Sequence, residues 1–128
     1  MDDTTLSFTF NGRLRSMRHA VVGIGELLVT QHNAWIHATA TALVVCLGLL
    51  TGVSAMQWCV LVLAMTAVWV AEALNTAFEL LCDVASPEFH PVVKKAKDVA
   101  AGAVLLSAIG SVVIGLIIFV PAIEAWLA

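Results

Sequence analysis

Charge is what this 128-residue sequence has least of: 12% of its residues are Asp, Glu, Lys or Arg. Soluble domains carry about a quarter. No charged side chain stands between His37 and Glu72, and none from Val99 through Pro121. Apolar stretches of at least about 18 residues are long enough to cross a bilayer. A water-soluble globular domain is therefore excluded. The three cysteines, Cys46, Cys59 and Cys82, are odd in number, widely spaced and set in apolar helical segments. That argues against a disulfide framework or a zinc site and for small buried hydrophobes. The first 19 residues include Asp2, Asp3, Arg13, Arg15 and Arg18 but no apolar run of the signal-peptide kind, so no cleaved leader is expected. Neither a Gly-x-x-x-x-Gly-Lys-[Ser/Thr] loop nor a kinase-type glycine-rich loop occurs. Any nucleotide chemistry must use another solution.

What is present is 61% hydrophobic, with a mean hydropathy of +0.99. One small domain, residues 1–128, is expected. Residues 1–11 are polar and read as a frayed end. From about 12 to 31, Leu14, Met17, Val21, Ile24 and Leu28 recur at helical spacing, with Arg15, Arg18 and His19 between them. This predicts an amphipathic helix at the membrane surface. Spans are expected at about 33–50, 55–85 and 97–120, with a turn at Thr51–Ser54 between the first two. The fold class is an all-α membrane protein. The second helix, at about 45 Å, exceeds a hydrocarbon core of about 30 Å and must protrude. Pro87 and Pro91 break the chain after it, and Pro121 is expected to end the third span.

All six basic residues lie before the first span or between the second and third. Positive charge stays cytoplasmic. The N-terminus and the 86–97 segment are expected on that side, and the C-terminus on the other.

The second helix ends in EALNTAFELLCD, residues 72–83. With Glu72 at 0° on a helical wheel, Asn75, Glu79 and Asp83 fall at about −60°, −20° and +20°. They form one acidic stripe. A solvated face would explain Asp83, but not Glu72, which follows apolar residues at membrane depth. Intramembrane carboxylates are costly and mark function. Glu88, His90, Lys97 and Asp98 make a second polar cluster, with Lys97-Asp98 expected to open the third helix, where free N–H groups bind anions. Carboxylates for a metal, with lysine and amides for phosphates, suit a magnesium–nucleotide complex.

At these residues the sequence resembles the small bacterial integral-membrane lipid kinases, the diacylglycerol kinase and undecaprenol kinase family. Glu72, Asn75, Thr76, Ala77, Glu79 and Asp83 match Glu-x-x-Asn-[Ser/Thr]-Ala-x-Glu-x-x-x-Asp. Glu88, His90, Lys97 and Asp98 match the later Glu-x-His…Lys-Asp pattern. Asn33, His37 and the closing GLIIFVP resemble the undecaprenol-kinase branch. The resemblance implies a homotrimer in the bacterial inner membrane, with a surface helix and three spans per subunit. It implies transfer of the ATP γ-phosphate to a lipid hydroxyl with Mg2+. By it, Glu72 is the catalytic base and Glu79 a metal ligand beside the nucleotide. Asn75 and Asp83 line the site. Arg13, His19, Glu88, His90, Lys97 and Asp98 bind nucleotide. Undecaprenol is preferred over diacylglycerol, and no nucleic-acid partner is expected. One position departs from the pattern: Gln31 stands where the family has a second metal-binding glutamate. A glutamine carbonyl can ligate magnesium but carries no charge. A non-catalytic lipid- or nucleotide-binding homologue is therefore the alternative reading, and a small transporter or proton channel using the stripe a third.

Overall fold

The computed structural model describes residues 9–128, and these form four helices. The sequence reading of residues 1–8 lies outside the described residues. Helix α1 spans Phe10–Thr30, opened by Thr9, whose hydroxyl accepts from the Gly12 N–H at 3.2 Å. At Gln31 the backbone turns extended (φ −102°, ψ 117°), and α2, His32–Thr51, starts in a new direction. The break falls where the surface helix was expected to give way to the first span.

Helix α2 ends on Gly52, which adopts the left-handed conformation (φ 66°, ψ 41°). Glycine takes that geometry without a Cβ penalty. Ser54 then caps α3, Ala55–Ala85, in a reciprocal capping box with Gln57. The two caps hold α2 and α3 antiparallel through a three-residue turn.

Helix α4 is longer than the sequence suggested. It runs Pro91–Leu127, beginning before Lys94 and continuing through Pro121. Pro91 occupies the first turn, where a missing N–H costs nothing. His90 caps it, its Nδ1 accepting from the Val92 N–H at 3.2 Å. Pro121 removes one backbone donor, a loss that apolar membrane helices tolerate better than soluble ones. The 91–97 stretch is therefore helix, not loop. One consequence is chemical: the N–H groups of Lys97 and Asp98 lie inside the helix and cannot serve as a free anion-binding end.

Helices α2, α3 and α4 are each long and apolar enough to cross a membrane. Much of their apolar surface faces outward, including Leu43, Leu63, Leu106 and Ile117. That is a liability in water and the expected state in lipid. The tightest packing is between α3 and α4. Leu61, Ile118 and Phe119 form its core, with Trp58, Val44 and Ile114 against them. Gly48 of α2 is buried under the Trp58 indole; a Cβ there would lie 2.6 Å from two ring carbons. Ser111 of α4 donates to the Ala64 carbonyl of α3 at 3.1 Å. These contacts pin the three helices so that the 72–83 face of α3 sits between α2 and α4.

Candidate active site

The acidic stripe of α3 exists and is graded in burial. Glu72 is 1% exposed, Asn75 7% and Thr76 6%; Glu79 is half-buried and Asp83 is exposed. Spacing of three and four residues stacks them on one side of the helix. The Asn75 amide donates to Glu79 Oε1 at 3.2 Å, linking the upper and lower halves of the stripe.

Glu72 faces a cavity of about 230 Å³ between α2, α3 and α4. Asn33, Ile36 and His37 line it from α2, and Ala101, Val104, Leu105 and Ala108 from α4. Glu72 Oε2 lies 3.6 Å from His37 Nε2. Both atoms are buried, and neither has a hydrogen-bond partner among the described residues. Asn75 Oδ1 and Thr76 Oγ1 share that condition. Buried polar atoms are nearly always satisfied, so unpaired ones concentrated on one helix turn mark a place where a ligand belongs. The His37 ring meets the edge of Trp69 at 6.2 Å. The Trp69 indole N–H in turn donates to Thr41 Oγ1 at 3.0 Å.

An apolar groove of about 310 Å³ continues from this cavity toward the middle of the helices. Ile36, His37 and Ala108 belong to both. The groove passes Ala40, Val44, Met65 and Val68 and ends near Gly115.

The second polar cluster surrounds a recess of about 410 Å³ at the α3–α4 junction. Asp83, Glu88, His90, Lys97 and Asp98 all line it, so the foot of the stripe and the second cluster meet there, while Glu79 does not line it. One ion pair joins them, and a second lies within α4. Lys97 Nζ donates to Asp83 Oδ1 at 2.9 Å, and Lys94 Nζ to Asp98 Oδ2 at 2.6 Å. Both pairs are solvent-accessible, where such contacts are worth little and exchange readily.

Other predicted residues stand apart. Arg13 and His19 are exposed on α1, and neither lines the cavity or the recess. Gln31, half-buried at the α1–α2 break, donates through Nε2 to Thr30 Oγ1 at 3.3 Å. Among the described residues no three His, Cys, Asp or Glu side chains gather as a closed metal site. Magnesium does not require one: it is commonly held by one or two carboxylates together with substrate phosphates and water. Glu79, anchored by Asn75 between cavity and recess, fits that use.

The profile of the prokaryotic diacylglycerol kinase family matches residues 18–119, which takes in the stripe, the recess and the cavity walls. The chain belongs to this family. It is thus a membrane-embedded lipid kinase. It is 38% identical over 121 residues to the undecaprenol kinase of Bacillus subtilis, covering 94% of this chain and 98% of that one. It is 38% identical over 109 residues to a diacylglycerol kinase of Synechocystis, covering 84% of this chain and 62% of that one. A diacylglycerol kinase of Helicobacter pylori is 36% identical over 83 residues, 59% of this chain and 65% of that one.

His37 is the site residue whose place the sequence left open. It marks the family branch in the sequence, but its contact with Glu72 depends on how α2 and α3 are aligned, which no spacing within one helix reveals. Thr41 and Trp69 were missed for the same reason.

Proposed function

We propose that this lipid kinase moves the γ-phosphate of ATP to the hydroxyl of a membrane lipid alcohol, undecaprenol in preference to diacylglycerol. The reaction takes place at the cytoplasmic face of the bacterial inner membrane. The N-terminus lies on that side with all the basic residues, and the working unit is a homotrimer. The observation that carries the reading is Glu72: a carboxylate 1% exposed, with an oxygen unpartnered among the described residues, at the wall of a cavity whose α4 side is wholly apolar.

The site divides the work along α3. The lipid hydroxyl enters from the apolar side and meets Glu72. Glu72 takes its proton as the oxygen attacks the γ-phosphorus. The bond from that phosphorus to the β–γ bridging oxygen breaks, and ADP leaves toward the recess. A positioned base of this kind is worth about 10²–10⁴ in rate. Two turns on, Glu79 would hold Mg2+, which neutralises phosphate charge. Lys97 exchanges Asp83 for a phosphate oxygen. Glu88, His90 and Asp98 line the nucleotide's recess, and Arg13 and His19, outside it on α1, would meet only the part of the nucleotide that extends beyond it.

The preference for undecaprenol rests on the groove. Its polar members below His37 are Thr41 and Ser111, and both are engaged within the protein, with Trp69 and with the Ala64 carbonyl. An isoprenoid chain asks for no hydrogen bonds. Diacylglycerol brings two ester carbonyls; the Thr41 hydroxyl hydrogen can meet one at most, and the other is left unpaired at a cost.

The test is direct. Purified protein in bicelles is given γ-labelled ATP, Mg2+ and either lipid. Label is expected in the lipid fraction, faster with undecaprenol. Folded protein that labels neither lipid overturns the proposal.

A further inference from the structure

Two buried polar atoms face each other across the cavity and do not touch. His37 Nε2 and Glu72 Oε2 are 3.6 Å apart, beyond hydrogen-bond range, and neither has another partner among the described residues. A pair orphaned at this spacing lacks a third group. One oxygen placed about 2.8 Å from each atom closes both contacts, the two bonds meeting there at about 80°. A hydroxyl suits the gap, since it gives one hydrogen and receives another.

We propose that His37 is a catalytic residue that holds the acceptor hydroxyl of the lipid. Its Nε2–H donates to the hydroxyl oxygen, and the hydroxyl hydrogen is thereby aimed at Glu72 Oε2. The assignment rests on the lipid-kinase reading above and adds to it the group that positions the nucleophile. During transfer the O–H bond breaks and its proton goes to Glu72. The new O–P bond forms on the oxygen that His37 holds. Holding the attacking atom in place removes orientational freedom that would otherwise raise the barrier.

The surroundings are built for this. The imidazole is fixed against the edge of Trp69, which is itself tied to Thr41, one turn along α2 from His37. Among the described residues no other ionisable group lines the cavity. Helix α3 contributes Glu72 and Asn75, α2 adds Asn33 and Ile36, and α4 presents only Ala, Val and Leu. The two groups thus act on one another and on whatever lies between them. The cavity's continuity with the apolar groove places a hydrocarbon chain directly behind that point.

Two variants test the role. His37→Phe keeps a ring beside Trp69 and removes the donor. His37→Gln returns an N–H near the same place. The Phe variant is expected to lower kcat/KM for undecaprenol roughly 10- to 100-fold, with KM for ATP unchanged and the melting temperature close to the parent. The Gln variant is expected to recover most of the loss. If the Phe variant turns lipid over as the parent does, or if Gln is as poor as Phe, the proposal is overturned while the lipid-kinase reading stands. A second measurement needs no turnover. In 15N-histidine protein without ATP, undecaprenol is expected to shift the His37 Nε2 resonance, identified by its absence in His37→Phe. No shift at saturating lipid overturns the proposal. A shift in protein that phosphorylates no lipid supports His37 as a hydroxyl ligand and overturns the kinase reading instead.

Discussion

Replacing Glu72 by glutamine is expected to make the protein more stable and less active at once. Glu72 is 1% exposed, and its Oε2 has no hydrogen-bond partner among the described residues. A carboxylate at membrane depth costs about 2.5–3.5 kcal/mol even on permissive scales. A buried neutral polar group left unpaired costs about 1–3 kcal/mol. The amide matches the carboxylate in shape and removes the charge while keeping a polar group, so the gain is the difference between those terms, on the order of 1–2 kcal/mol. In a chain this size that reads as a rise in melting temperature on the order of 5 °C. Transfer falls by about 10²–10⁴ because the amide cannot take the hydroxyl proton. Both quantities come from one preparation: thermal unfolding in detergent, and label transfer to lipid. A variant that is destabilised and still active would refute the assignment of Glu72 as a buried base kept at the expense of stability.

Other substitutions probe separate parts of the account. Gln31→Glu restores a carboxylate at the α1–α2 break and disturbs only an exposed bond to Thr30; activity or apparent magnesium affinity should rise, and a fall in both would refute the reading of position 31 as a metal-ligand position. Gly48→Ala places a methyl 2.6 Å from the Trp58 ring; overpacking of about 1–3 kcal/mol outweighs the helix-propensity gain of about 1 kcal/mol, so the melting temperature should drop with kcat per folded protein unchanged. Ala108→Phe fills the shared wall of cavity and groove; KM for undecaprenol should rise severalfold while KM for ATP stays fixed in the same steady-state assay.

How far the sequence led depends on what sets each feature. Breaks at Gln31, Gly52 and Ser86–His90 follow from local chemistry, and they were legible. The acidic stripe was legible too, because helical periodicity alone puts Glu72, Asn75, Glu79 and Asp83 on one face. Pro121 misled, since its usual effect on a soluble helix does not carry over to α4. Pro91 misled in the other direction: it reads as a breaker and serves as a first-turn residue. Lys97-Asp98 therefore lies within the helix, and its side chains contact the recess while its amides do not. The His37–Glu72 pairing and the Trp69–Thr41 tie were illegible because they depend on the relative register of α2 and α3, fixed by distant contacts such as Gly48 against Trp58.

The central claim is tested most directly by offering the protein both lipids at once. Equal amounts of undecaprenol and diacylglycerol are incubated with γ-labelled ATP, with and without Mg2+, and the phosphorylated lipids are separated. The account predicts labelled undecaprenyl phosphate in excess over labelled phosphatidic acid, and neither without Mg2+. Label released only as inorganic phosphate, with both lipids unlabelled, would contradict it.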